Sequence, residues 1–137
     1  MASRTAARKD VQQRERRGSG LLRVPFIRRC DLAFDDGTSA STFTVNINVL
    51  GAYVARDQMP PLHQGVTLTL PIPGRDTQLV LRGVVTWLNA RQQHPVHSLP
   101  PGFGVKFDPP LAPEDRRCIE EVIEDYVRRN PHVTGEL

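Results

Sequence analysis

The chain changes its hydrophobic period once. From Leu21 to Phe107 apolar residues tend to recur at every second position, and from Pro113 onward they recur at helical spacing. Period two sends successive side chains to opposite faces of an extended strand, whereas spacings of three and four gather them into one stripe on a helix. A run of strands followed by a single helix, with no strand–helix–strand alternation, argues against a parallel α/β fold. It leaves a mainly β architecture, a small antiparallel barrel or sandwich with a C-terminal helix. A length of 137 residues gives room for one domain with one modest core.

The segments follow from that pattern. LLRVPFIRRCDLAF (21–34) reads as a strand interrupted at Pro25, and DDGTS (35–39) as a turn. TFTVNINVLGAYVAR (42–56) predicts a strand, a bend at Gly51 and a second strand, followed by the loop MPPLHQG (59–65). VTLTLPI places Val66, Leu68 and Leu70 on one face. After the Pro-Gly turn IPGRD, the run TQLVLRGVVTWL puts Leu79, Leu81, Val85 and Trp87 on a shared face, as in a core strand. The polar, Pro-rich stretch 89–102 is a loop, and GFGVKF (102–107) is the last strand. In the helix, Ile119, Val122, Ile123 and Tyr126 form the apolar stripe expected to be buried. Pro113 suits the first helical position, Glu114 and Asp115 complement the N-terminal dipole, and Arg128, Arg129 and Asn130 close the helix before Pro131.

Charge divides the chain in two. Residues 1–20 hold six Lys/Arg against two Asp/Glu, a balance of +4, so the total of +3 leaves −1 for the remainder. The expected organisation is therefore a basic, flexible N-terminal arm (1–20) and a barrel with its helix (21–130). The arm has no apolar core of the kind a secretory signal carries. No apolar run approaches the ~20 residues that span a bilayer, which places the chain outside the membrane. The two cysteines, Cys30 and Cys118, are too few for a disulfide framework and read as buried thiols in a reducing cytoplasm.

Catalytic signatures are lacking. There is no nucleophile elbow, Walker loop or HExxH, and no carboxylate pair at helical spacing beside a histidine, so an enzyme is not expected. His94 and His97 form an HxxH in a loop, but no cysteine or carboxylate cluster accompanies them, and no metal or cofactor is predicted. More informative is TVNINVLGAYV (44–54). In a strand, Asn46 and Asn48 would present two amides on one face, with Gly51 three residues beyond. Taken alone, the asparagines fit outward strand positions as well as a polar pocket, and Gly51 fits a strand bend.

The ordered set of an Arg-rich arm, Arg23-Val24-Pro25, Asn46-x-Asn48-x-x-Gly51, VVTW (84–87), GFGVKF (102–107) and a terminal helix resembles a PilZ domain over roughly residues 14–128. The resemblance implies a six-stranded β-barrel and, for many members, a bacterial receptor for cyclic di-GMP. The family's ligand motifs are Arg-x-x-x-Arg in the arm and Asp/Asn-x-Ser-x-x-Gly on the barrel. Arg23 matches the second arginine, while Ser19 stands where the first is expected, with Arg16 and Arg17 seven and six residues before Arg23. Asn46 and Gly51 match the ends of the second motif, and Asn48 replaces its serine.

The ligand set implied by the resemblance is thus Arg16, Arg17, Arg23, Asn46, Asn48 and Gly51. Arginine's planar fork pairs bidentately with phosphate or with the guanine O6 and N7, and a glycine lets backbone approach a base. Three functions remain: a cyclic di-GMP receptor that alters binding to an effector protein on ligand binding, a PilZ-like adaptor that has lost the ligand, or a nucleic-acid binder. The last needs exposed stacking aromatics, and the pattern assigns the only tryptophan to a core strand.

Overall fold

The computed structural model describes residues 21–72, 74–90 and 99–132. The N-terminal arm with Arg16 and Arg17, and the loop histidines His94 and His97, lie outside these residues. Among the described residues, seven strands precede one helix: β1 Val24–Pro25, β2 Arg29–Phe34, β3 Ser39–Ile47, β4 Gly51–Ala55, β5 Gly65–Pro71, β6 Gln78–Asn89, β7 Gly102–Phe107 and α1 Pro113–Arg129. All pairings are antiparallel, in the order β3-β2-β5-β6-β7-β4, and β4 returns to pair with β3. Six strands therefore close a barrel and leave no open sheet edge among them.

The interruption at Pro25 has a clear structural form. β1 and β2 run along the same side of β3, with Val24 opposite Ile47, Pro25 opposite Asn46 and Arg29 opposite Phe43. Proline has no N–H to give to a ladder, so the strand breaks between them. The buried Thr44 hydroxyl fills the gap, donating to the Phe26 carbonyl (2.6 Å) and accepting from the Arg28 N–H (3.2 Å). The DDGTS turn also forms as expected: Gly37 adopts φ 93°, and Asp36 accepts from the Thr38 N–H and hydroxyl.

Alternation fills the barrel interior. Leu32, Val54, Leu68, Leu81, Val85 and Phe103 are fully or almost fully buried. The helix adds Ile119 and Ile123, both 0% exposed, while Val122 and Tyr126 pack against the core only in part. The apolar stripe is therefore narrower at full burial than the four residues its spacing predicts. Arg75 ties the helix to the barrel through Glu121 (2.6 Å).

The expectation for Trp87 is corrected. β6 alternates from Leu79 to Val85, but a bulge between Val85 and Trp87 shifts its register against β7. One extra residue turns every later side chain to the other face. Trp87 accordingly stands on the outside of the barrel, 42% exposed.

Candidate ligand-binding cleft

The outward-turned tryptophan forms one wall of a cleft of about 380 Å³ on the barrel's outer surface. Four strands build it, and their registers place Asn46 (β3), Tyr53 (β4), Gly104 (β7) and Trp87 (β6) in one row. Tyr53 and Trp87 pack with ring centroids 5.5 Å apart and planes at 44°. Gly104 leaves the indole's neighbour position low, since a Cβ there would already lie 3.6 Å from that of Trp87. Leu50 and Leu99 extend the apolar lining, and Leu50 is itself more than half exposed.

Tyr53 holds the far wall in place. Its hydroxyl donates to the Pro100 carbonyl (2.6 Å) and accepts from the Asn89 side-chain amide (3.0 Å), which anchors the chain where it enters β7 beside Leu99. Burial raises the phenol's pKa, and the Asn89 hydrogen bond opposes that shift in part. The phenol therefore stays neutral and keeps its donor.

The rim is cationic. Arg23, just before β1, donates from Nη1 to Asn46 Oδ1 at 2.8 Å, so two of the residues singled out in the sequence meet at the cleft mouth. Surrounding protein lowers the Arg23 pKa by desolvation, but the residue is still exposed at the surface and an arginine stays charged. Lys106 lies across the cleft on β7, and no carboxylate occurs among the described residues that line it. Apolar walls with a cationic rim suit a planar, anionic ligand.

Asn48 and Gly51 have other neighbours than their spacing suggests. β3 ends at Ile47, so Asn48 belongs to the turn into β4 and does not share the Asn46 face. It is 6% exposed. Its Oδ1 accepts from the N–H groups of Leu50 (2.9 Å) and Gly51 (3.0 Å), and its Nδ2 donates to the Leu21 carbonyl (3.0 Å). The amide thus pins the turn to the chain entering the barrel and does not line the cleft. Gly51 does line it, and a Cβ at this position would sit 2.1 Å from the Val105 carbonyl oxygen, so the contact of β4 with β7 requires glycine. Of the predicted set, then, the structure brings together Arg23, Asn46 and Gly51, and adds Tyr53, Trp87 and Lys106.

Among the described residues no group of His, Cys, Asp or Glu could hold a metal ion, and no helix is long and apolar enough to cross a membrane. No curated protein matches the chain. The fold is similar to that in the crystal structure of the PilZ domain of CeSA from a cellulose-synthesizing bacterium, with a TM-score of 0.53 and 13% identity over 76% of this chain and 96% of that one. It is also similar to the Bacillus subtilis inhibitor of motility MotI/DgrA, with a TM-score of 0.59 and 15% identity over 80% of this chain and 50% of that one. Identities this low speak for the fold alone. The sequence itself matches the PilZ domain family over residues 11–125, most of its length. With the closed six-stranded barrel and its terminal helix, this chain belongs to the PilZ domain family.

Proposed function

We propose that the cleft binds cyclic di-GMP and that the chain acts as a cytoplasmic signalling adaptor whose contacts with an effector protein change on binding. It is read as a binding protein, not an enzyme. The observation that carries this is the Arg23–Asn46 hydrogen bond at the mouth of a cleft whose wall is an exposed indole. Asn46 holds the guanidinium in place before any ligand arrives, which lowers the ordering cost of a bidentate contact to phosphate or guanine. Trp87, 42% exposed and backed by the buried Tyr53 ring, offers a surface on which a purine can stack. Family membership supports the same ligand.

Calorimetric titration of the full chain with cyclic di-GMP tests the proposal. Saturable binding is expected, and Arg23→Ala should weaken it by about 2 kcal/mol or more, as for a lost charge-assisted pair. Absence of heat, together with an unshifted melting temperature at high micromolar ligand, would remove the proposal.

A second reading is a PilZ adaptor that works by protein contacts without the nucleotide. Two observations favour it: Asn48, at the family's serine position, is fully engaged in its turn, and Ser19 replaces the first arginine of the arm motif. That reading leads if the titration is silent.

A further inference from the structure

Most cations on this surface already have partners. Seven of the described arginines pair with carboxylates. Arg28 and Arg56 sit over the rings of Phe26 and Phe34. Lys106 has neither kind of partner among the described residues. It is exposed on β7, and its neighbours in register are Gly51 on β4 and Val84 on β6. It therefore stands one outward position along β7 from Gly104, beside the Tyr53–Trp87 wall.

Arg23 and Lys106 approach the cleft from opposite sides. Between their strands run β3 and β4, so the two backbones are three strand spacings apart, about 14 Å along the sheet. Both side chains line the same cleft over the β4 surface, where Gly51 offers no side chain to separate them. An unpaired ammonium at that place raises the local positive potential without a fixed hydrogen-bonding geometry.

We infer that Lys106 is a second anion contact of the cleft, and that it favours a ligand with two phosphates, one towards each rim, over a nucleotide with one. The inference rests on the cyclic di-GMP reading and adds to it a residue that sets specificity. Arg23, fixed by Asn46, serves one phosphate or guanine edge, and Lys106 serves the phosphate opposite. A mononucleotide held by Arg23 and stacked on Trp87 would leave Lys106 without a contact.

The test is titration of the wild-type chain, Lys106→Ala and Lys106→Arg with cyclic di-GMP and with GMP, at low and high NaCl. Lys106→Ala should weaken cyclic di-GMP binding about tenfold and change GMP binding by less than about threefold. It should also reduce the loss of affinity on raising salt and leave the melting temperature unchanged, since the side chain is exposed. Lys106→Arg should recover affinity to within about threefold of wild type, because the charge is kept. If Lys106→Ala matches wild type for cyclic di-GMP at both salt concentrations while Arg23→Ala is weakened, the inference fails and the proposed function stands. If both nucleotides lose affinity equally in Lys106→Ala, the residue contributes general potential and the specificity role fails. If the wild-type chain binds no cyclic di-GMP, the proposed function and this inference fall together.

Discussion

Replacing Asn48 by alanine separates a structural amide from a ligand-binding one. The side chain makes three hydrogen bonds, each to backbone: Leu50 N–H, Gly51 N–H and the Leu21 carbonyl. Alanine would leave the Gly51 N–H in a buried position without that acceptor, at about 1–3 kcal/mol. Leu50 is exposed, so water can replace the bond to its N–H, and the bond to Leu21 is only partly buried; each contributes about 0.5–1 kcal/mol. The sum is a destabilisation of about 2–5 kcal/mol, read as a lower midpoint in equilibrium urea unfolding with an unchanged slope. Asn48→Ser should lose roughly half as much, because a hydroxyl can still accept from the turn but is too short to reach Leu21. A loss below about 0.5 kcal/mol for Asn48→Ala would show that the turn does not depend on this amide, and would refute the reasoning.

Ile123→Ala should cost about 2–5 kcal/mol by the same assay, because the side chain is wholly buried between helix and barrel. Val122→Ala should cost less, since that residue is only partly covered. Cys30 should resist alkylation in the native state at neutral pH, because burial first, and the neighbouring Asp31 charge second, push its thiol up to about 12. The sign follows from linkage: a folded-state pKa raised above that of the unfolded thiol contributes stability below the unfolded value, which is then lost as pH rises towards 12. Urea midpoints of wild type and Cys30→Ala measured up to pH ~10 should therefore converge above the ordinary thiol pKa of ~8.5.

The barrel was readable because alternation and the single period change depend on side chains that must be buried. The break at Pro25 was equally plain, since a missing N–H leaves no choice of ladder. The cleft was harder to see for three local reasons. Nothing in VVTWLN marks the extra residue that turns Trp87 outward, so unbroken alternation assigned it to the core. Asn46 and Asn48 share a face only while the strand continues, and β3 stops between them. Lys106 could be placed on an outer face from its alternation, but only barrel closure brings β7 beside β4 and so sets that lysine opposite Arg23.

The central claim is that the Arg23–Trp87 cleft is where the nucleotide binds. The most direct measurement is a titration of isotopically labelled chain with cyclic di-GMP, followed by amide and indole N–H resonances. The account predicts saturating shifts at the Trp87 indole and at the amides of Asn46, Gly51, Gly104 and Lys106, with the helix amides around Ile119 and Ile123 unmoved. It would be contradicted by no shifts at saturating ligand, or by shifts confined to the separate groove between Phe26 and the Val122–Tyr126 face of the helix.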